Sequence, residues 1–330
     1  AGYHIVGEGA AARAEITDFW AMVLNPSAIP RLLHVLIGCY ILAAFFVMSI
    51  SAFYILRKRH LDFARKSFAS ALVLGAVMSL AALIQGDLQA RKLKDTQPAK
   101  LAAMEAHFQT GTGGTRLYAF GIPDEQEQRV KYGLPIPGML SLLVHGNTHQ
   151  PVNGLDKIPR TDWPPVALTF QSFHLMVGLG MFFIAITLLA CWFWWRKTLF
   201  EKRWLLWIFV FAIPLPYVAN QVGWVTAEVG RQPWVVYGLL RTSDGISRAV
   251  SSGQTIGSII MFVTIYTLLF AVFLYVLNDK IQHGPDPVHP PAGTSAEALA
   301  DVAGLRAGTG ASSLTQPGDA QSPADEKPSK

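Results

Sequence analysis

The sequence predicts an all-α, polytopic transmembrane helix bundle with five spanning helices, a long outer loop and a disordered C-terminal tail. Of the 330 residues, 51% are apolar and only 15% are charged, and the apolar residues are concentrated in long uncharged runs. Five of these runs could cross about 30 Å of hydrocarbon at about 1.5 Å per residue. The five runs are residues 29–56, 68–86, 166–195, 204–229 and 254–278. A soluble enzyme is therefore excluded, and the lipid bilayer is the first expected partner.

Basic connections between the spans predict their orientation. The connection 57–66 has five Lys or Arg residues in ten, and the connection 196–203 has four in eight. Short loops of this kind remain in the cytoplasm. Spans one, three and five should therefore run inwards, so that the C-terminus is cytoplasmic. The net charge of +5 reflects these loops, and no nucleic-acid partner is expected.

The spans divide the chain into five expected regions. They are an outer segment 1–28, a first helix pair 29–86, an outer loop 87–165, three helices 166–280 and a cytoplasmic tail 281–330. A helical stretch is expected at 98–108 within the loop, and ordered loops of this length are usually functional. The tail is rich in Pro, Gly, Ala and Ser, which predicts disorder. Pro214 and Pro216 should kink the fourth span.

Histidines within the spans are the first candidate site residues, because an ionisable side chain in lipid is a functional hypothesis by default. His34 lies in the outer half of the first span, and Gly38, one turn further on, would leave room for a flat macrocycle. Packing against a neighbouring helix is the simpler interpretation, but neutral imidazole also suits iron. His174 and Met176 lie in the outer half of the third span, about 200° apart around the helix. They cannot both face one iron, and the pattern leaves open which of them would be the second ligand.

Glu228 ends the fourth span near the outer boundary, where it could simply pair with Arg231. With the expected topology, His34, Met176 and Glu228 lie at a similar depth on three different helices. Unrelated packing residues would not share a depth in this way. The convergence favours a cofactor site in the outer half of the membrane.

The run from Gly223-Trp224 to Ala227-Glu228-Val229-Gly230-Arg231-Gln232-Pro233-Trp234 resembles the signature of subunit I of the cytochrome bd quinol oxidases. Further matches are Val23-Leu24-Asn25-Pro26, Gly86-Asp87, Lys100-Leu101-Ala102-Ala103-Met104-Glu105, Phe120-Gly121-Ile122-Pro123-Asp124 and Ile213-Pro214-Leu215-Pro216. The resemblance covers about residues 15–280. It implies a quinol:oxygen oxidoreductase of the bacterial inner membrane, which oxidises ubiquinol or menaquinol at the periplasmic face. The implied protein partners are a second large membrane subunit and a small single-span subunit.

The resemblance also implies roles for five residues at the haems. His34 and Met176 would be the axial ligands of a low-spin haem b, and Glu228 would sit at the iron of a high-spin haem b. Trp224 would lie between the haems and assist electron transfer, and Arg231 would lie near the propionates. A third haem, of d or b type, would be shared with four further N-terminal helices. Those helices are missing here, so we expect this chain to be the later part of a longer protein.

Lys100 and Glu105 match the quinol-site residues of the family's outer loop, the Q loop. A carboxylate can take a proton from a quinol hydroxyl, and a nearby ammonium favours the developing anion. The simpler alternative is a solvent-facing pair on a short helix. Family members usually have arginine where this chain has His174, which puts propionate or quinone contacts at that position in doubt. The short loop resembles the class that includes cyanide-insensitive oxidases.

Two other functions fit parts of the pattern. A dihaem quinol dehydrogenase membrane subunit would generally require bis-His ligation of both haems, and His34 and His174 are the only histidines in the predicted spans. A permease with a substrate-binding loop would show no visible absorption after purification.

Overall fold

The computed structural model describes residues 2–7, 13–246 and 249–285. One compact unit extends to Ile281, and a second unit begins at Gln282. The predicted tail, 281–330, therefore lies almost entirely outside the described residues. The helices are α1 (Phe19–Val23), α2 (Ala28–Leu56), α3 (Leu61–Thr96), α4 (Pro98–Met104), α5 (Met139–His145), α6 (Val166–Trp195), α7 (Arg203–Phe211), α8 (Leu215–Val229) and α9 (Ser252–His283).

The helices confirm the predicted membrane bundle. Four of them, α2, α3, α6 and α9, are long and apolar enough to cross a membrane, and the bent pair α7 and α8 makes a fifth span. We call the end at which α2 begins, α3 ends, α6 begins and α8 ends the loop end of the bundle. The long connection between α3 and α6 lies there.

Helix α3 is longer than the predicted apolar run of 68–86. It includes charged turns at both ends, with Lys66 paired to Asp62 at 2.9 Å and Arg91 paired to Asp87 at 2.8 Å. Such i,i+4 pairs stabilise exposed helical turns beyond an apolar run. The loop therefore begins at residue 97, ten residues after the predicted boundary at 87.

The prolines of the fourth span bend it as predicted. Helices α7 and α8 meet at an angle of 41°. Pro214 has no N–H to donate to the carbonyl of Val210, four residues earlier. The hydroxyl of Ser49, a buried residue of α2, donates to this carbonyl at 3.0 Å. A neighbouring helix thus satisfies the backbone group that the proline frees, as a membrane requires.

The hydrophobic core lies in the half of the bundle away from the loop end. Phe45, Phe68, Phe183 and Phe209 are fully or almost fully buried at its centre. The ring centroids of Phe45 and Phe183 are 4.7 Å apart, and those of Phe68 and Phe209 are 5.1 Å apart in an edge-to-face arrangement. These rings join α2, α3, α6 and α7.

Nearer the loop end, helices α2, α3, α6 and α8 contain no buried side chain over several turns. The stretches concerned are 28–40 of α2, 80–92 of α3, 173–182 of α6 and 217–225 of α8. We call these four stretches the sparsely packed layer. Close packing is the rule in protein interiors, so this layer differs from the aromatic core beside it.

Short hairpins, which the sequence did not predict, form the described connections at the loop end. The antiparallel strand pairs are β1 (Tyr3–Val6) with β2 (Arg13–Ile16), β3 (Leu117–Tyr118) with β6 (Pro135–Ile136), β4 (Ile122–Asp124) with β5 (Arg129–Lys131), and β7 (Trp234–Val236) with β8 (Leu240–Arg241). Three-residue helical turns occur at Leu155–Lys157, Arg160–Asp162 and Leu199–Glu201. The fold remains predominantly helical, because every pair is short and two-stranded.

The predicted helical stretch 98–108 ends early. Helix α4 stops at Met104, and Ala106 adopts a left-handed conformation with φ of 45°. The N–H of His107 then donates to the carbonyl of Ala102 at 2.8 Å, and the N–H of Ala106 donates to that of Ala103 at 3.2 Å. This is the Schellman type of helix end, in which the chain reverses direction. Glu105 therefore lies at the end of α4 and not within a longer helix.

The loop is fastened along the first turns of α6. The carboxylate of Glu125 accepts the N–H groups of Val166 at 2.9 Å and Ala167 at 3.2 Å. Further along α6, the side-chain amide of Gln171 donates to the carbonyl of Gly121 at 2.7 Å. A carboxylate at a helix N-terminus satisfies orphan donors and favours the helix dipole.

We predict that Ser49→Ala lowers the free energy of unfolding by about 0.5–2 kcal/mol, because it leaves the carbonyl of Val210 without a donor. The measurement is reversible unfolding of the detergent-solubilised protein. Ser79→Ala is the matched control, since the buried Ser79 hydroxyl has no hydrogen-bond partner and its loss should be neutral or stabilising. Equal stability of Ser49→Ala and the unmodified protein would contradict the assigned role.

Candidate functional site

His34 lies on α2 in the sparsely packed layer, half-buried beside α3. A Cβ placed on Gly86 would lie 4.0 Å from Cε1 of His34. The Nδ1 atom of His34 is buried without a hydrogen-bond partner. Buried polar atoms are normally paired, so His34 is not explained as a histidine that bonds a neighbouring helix. The side chain of Gln85 donates to the carbonyl of Pro30 at 2.8 Å and ties the two helices together near it.

Met176 lies on α6 against α8, at nearly the same level as His34. A Cβ placed on Gly223 would lie only 2.8 Å from the sulfur of Met176, and one placed on Gly38 would lie 2.6 Å from Oδ1 of Asn220. His34 is about 6 Å along α2 from Gly38, and Gly223 is about 4.5 Å along α8 from Asn220. Because α2 and α8 run in opposite directions, the two candidate ligands differ in level by only about 2 Å.

His174 lies at the loop end of the sparsely packed layer and contacts the loop. Its Nδ1 lies 3.0 Å from the carbonyl oxygen of Phe170, and its Nε2 lies 2.8 Å from that of Tyr118. The imidazole is also stacked on the ring of Phe170, with centroids 3.8 Å apart. A carbonyl oxygen faces each ring nitrogen, and a neutral imidazole donates to one of the two. The contact with Tyr118 links β3 to α6. The predicted separation of His174 and Met176 around α6 thus places His174 against the loop and Met176 against α8.

Glu228, Arg231 and Lys100 meet at the C-terminal end of α8. The carboxylate of Glu228 and the guanidinium of Arg231 are 2.6 Å apart, and Nε of Arg231 is buried without a partner. The ammonium of Lys100 donates to the carbonyl of Ala227 at 3.1 Å. A cation at the C-terminal end of a helix binds a carbonyl that has no partner within the helix. It also interacts favourably with the negative end of the helix dipole. Lys100 thereby fastens α4 of the loop to α8.

The charges around Lys100 change its pKa. The pKa of Lys100 is lowered to about 8. Burial is the largest cause and the cation of Arg31 the next, while Glu228 raises the pKa and Arg231 lowers it. Arg31, three residues before His34 on α2, is therefore part of the same cationic region. The sequence did not single it out, although its position one turn before His34 was a usable signal. The region carries an excess of positive charge, which suits an anionic partner.

Glu105 is 6% exposed, and its Oε2 atom has no hydrogen-bond partner. Burial raises the pKa of Glu105 to about 8. No ion pair links Glu105 to Lys100 among the described residues, and the two are about 140° apart around α4. Both are buried, so the structure contradicts the alternative of a solvent-facing pair. It does not bring the two head groups together.

Trp224 is 63% exposed on α8, within the sparsely packed layer. Sequence reasoning missed several polar residues beside the site. The side-chain oxygen of Asn220 packs directly against Gly38. Glu125 and Gln171 form hydrogen bonds between the loop and α6. The signal for Asn220 was an amide inside an apolar span, and such residues are usually functional or structural.

The residues fit a haem in the sparsely packed layer. An unpaired imidazole, a thioether at its level and a layer without buried side chains are the features that a macrocycle between helices requires. Gly38, Gly86 and Gly223 provide backbone surface in this layer, where side chains would obstruct a flat group. The cationic region of Arg31, Lys100 and Arg231 lies at the loop end and suits its carboxylates.

Comparisons with known proteins identify relatives of the chain. A family model described as cytochrome bd terminal oxidase subunit I matches residues 1–285. The chain is 33% identical over 283 residues to cytochrome bd ubiquinol oxidase subunit 1 of Bacillus subtilis, covering 83% of this chain and 60% of that protein. It is 29% identical over 338 residues to cytochrome bd-II ubiquinol oxidase subunit 1 of Escherichia coli, covering 83% of this chain and 66% of that protein.

A solved structure shows the same fold. The bd oxidase of Geobacillus thermodenitrificans has a TM-score of 0.75 and 30% identity, and the match covers 86% of this chain and 64% of that chain. The chain spans less than two thirds of the length of each of these three relatives.

We predict that Glu105→Gln removes a pH dependence of stability. The folded pKa of Glu105, about 8, lies above its ordinary value of 4.5. The contribution of Glu105 to the free energy of unfolding is therefore fully present below pH 4.5 and is lost as the pH rises towards 8. The free energy of unfolding falls over this range with a slope of up to about 1.4 kcal/mol per pH unit. Thermal unfolding at pH 5, 7 and 9 measures this slope, which should flatten in the Gln variant.

Glu127→Gln is the control for this experiment. Glu127 is paired with Arg129 and Lys131 on the exposed β4–β5 hairpin, and the hydrogen bond from Lys131, followed by that from Arg129, lowers its pKa. Its contribution changes only in acid, so the slope above pH 5 should remain. A slope unchanged in Glu105→Gln would show that Glu105 titrates normally.

Proposed function

The chain belongs to the cytochrome bd terminal oxidase subunit I family, and on this premise we propose that it is the haem-binding, quinol-oxidising part of a quinol:oxygen oxidoreductase. The observation that carries the proposal is the common level of His34 and Met176 in the sparsely packed layer. The names of the relatives from Bacillus subtilis and Escherichia coli, both ubiquinol oxidase subunits, support the substrate class.

His34 and Met176 hold a low-spin haem b in this proposal. The chemistry supplied by the bound haems is one-electron transfer from quinol towards the haem that reduces oxygen. The unpaired Nδ1 of His34 supports its role, because a haem-ligating imidazole needs no helix partner. The carbonyl contacts at both nitrogens of His174 argue against bis-His ligation. We therefore assign His174 to loop anchoring, beside the haem site.

Glu228 serves a second, high-spin haem b, and Trp224 lies on the path between the haems. The exposed face of Trp224 and the partly exposed pair of Glu228 with Arg231 support this assignment, since their environment is incomplete within the described residues. Arg231 binds propionates. A third haem, of d or b type, requires residues beyond those of this chain.

Glu105 acts as the proton acceptor for quinol. General bases work best with a pKa near the operating pH, and burial brings the pKa of Glu105 to about 8. Lys100 belongs to the same end of the loop, but its ammonium is bound to α8. It acts by holding α4 in place and by adding positive charge towards the quinol site, with no direct bond to Glu105.

In the proposed assembly, the chain would lie in the bacterial inner membrane with its loop end on the periplasmic face and its C-terminus in the cytoplasm. The basic connections 57–66 and 196–203 support this orientation. The regions 1–28, 29–86, 87–165, 166–280 and 281–330 keep their proposed roles, except that the helix before the outer loop continues to Thr96. Ubiquinol or menaquinol, a second large membrane subunit and a small single-span subunit are the proposed partners.

We predict that His34→Ala abolishes the low-spin haem signal in the reduced-minus-oxidised spectrum, because iron loses its nitrogen ligand. Met176→Leu nearly preserves volume, so the protein should fold while the haem potential falls or the iron becomes high-spin. His174→Ala is the matched comparison and should leave this spectrum intact. A spectrum lost in His174→Ala and kept in Met176→Leu would instead favour bis-His ligation. A purified protein without visible absorption would favour the permease alternative.

We predict that Glu105→Ala lowers quinol oxidase turnover by about 10²–10⁴-fold, the range for loss of a general base. The haem spectra should remain intact. An artificial electron donor that bypasses the quinol site should restore oxygen uptake. Equal losses with both donors, or full turnover with quinol, would place the quinol site elsewhere.

A further inference from the structure

The loop contains a cavity of about 340 Å³ directly after α4. Ala106, His107, Gly114, Tyr118 and Arg129 are among the residues that line it. Ala106 and His107 follow Glu105 in the chain. The cavity therefore adjoins the end of the helix that carries the proposed proton acceptor.

His107 extends from this cavity into the interior of the loop. Its Nε2 atom lies 2.9 Å from the carbonyl oxygen of Val152. A carbonyl oxygen can only accept, so this contact assigns the proton to Nε2 and leaves Nδ1 as the basic atom. Burial lowers the pKa of His107, against the opposing effects of the Val152 hydrogen bond and of Asp156. His107 is thus a neutral imidazole with one nitrogen fixed.

Val152 connects His107 to the face of α4 that carries Glu105. The side chain of Val152 packs in one apolar cluster with Leu101 and Met104. Glu105 follows Leu101 by one helical turn and lies on the same face. The left-handed residue Ala106 then turns the chain back over the helix end. Glu105 and His107 therefore flank Ala106 at one helix end, and the imidazole binds the carbonyl of Val152 there.

We propose that His107 relays the quinol proton from Glu105 to the cavity, and so to water outside the membrane. This inference rests on the proposed function of Glu105. Quinol gives up two electrons and two protons as it becomes quinone, and the electrons leave to the haem side, which is the oxidant. Glu105 takes a proton from a quinol hydroxyl and passes it to Nδ1 of His107, while the Nε2–H bond to Val152 stays intact. His107 then loses the Nδ1 proton to water in the cavity.

Burial favours release of the proton from His107, because it lowers the pKa of the imidazole. The charge of Asp156 opposes release, and Arg116 and Arg129 are among the residues that line the cavity. Asp156 is itself bound by the N–H and the hydroxyl of Thr110, at 3.0 and 2.6 Å.

The test is quinol oxidase turnover of His107→Gln in the complete complex. The glutamine amide can still donate to the carbonyl of Val152 but cannot carry a proton. We expect turnover to fall at least about tenfold, with unchanged haem spectra and unchanged oxygen uptake from the artificial donor. His149→Gln, at an exposed histidine of the same loop, should have no effect.

Rescue separates a relay from a structural role. In His107→Gly, added imidazole can enter the cavity and should restore turnover in proportion to its concentration, as it should not in Glu105→Ala. Normal turnover of His107→Gln, or a loss in His107→Gly that imidazole does not restore, would overturn the relay. If Glu105→Ala also retains full turnover, the proposed function of Glu105 fails as well. If Glu105→Ala alone is slow, only the relay fails.

Discussion

Hydrogen bonds at three successive points hold the segment 118–125 along the first turns of α6. Glu125 caps the helix, Gln171 binds the carbonyl of Gly121, and His174 lies against the carbonyl of Tyr118. Met176 follows His174 by two residues on α6. Because a loop has high conformational entropy unless it is tied down, these bonds give the part of the loop after α4 a defined place. The level of the candidate haem ligand Met176 and the position of the segment 118–125 are therefore set by the same helix.

The bundle assigns stability and function to different halves. Away from the loop end, interlocked phenyl rings and the bond from Ser49 to the bent span provide a close-packed support. Nearer the loop end, glycines and half-buried polar side chains replace that packing. A prosthetic group between helices needs such a layer, and the rigid half can support it without being altered by it. The bend at Pro214 marks where one half gives way to the other.

Hydropathy predicted the spans well, since the cost of unpaired backbone and charge in lipid leaves few alternatives. The ends of α2 and α6 were predicted within one residue, and the bend at Pro214 was expected from its missing N–H. The loop was predicted poorly, because its hairpins depend on contacts distant in sequence. Both ring nitrogens of His174 face carbonyl oxygens, whereas Nδ1 of His34 has no partner. This difference follows from those contacts and not from residue type. The sequence left open a solvent-facing pair at Lys100 and Glu105, and only the packing of α4 shows that both are buried.

The Schellman end of α4 makes the helix independent of the loop residues after it. His107 returns at once to the carbonyl of Ala102, and the loop is next fastened to α6 only at Tyr118. Between them, a Cβ on Gly113 would meet nothing within 4 Å, and one on Gly111 would meet only backbone atoms at 4.0 Å. Doubling a flexible loop costs only about 0.6 kcal/mol in closure entropy. Insertions at this turn would therefore lengthen the loop and diversify its contacts without displacing Glu105 at the end of α4.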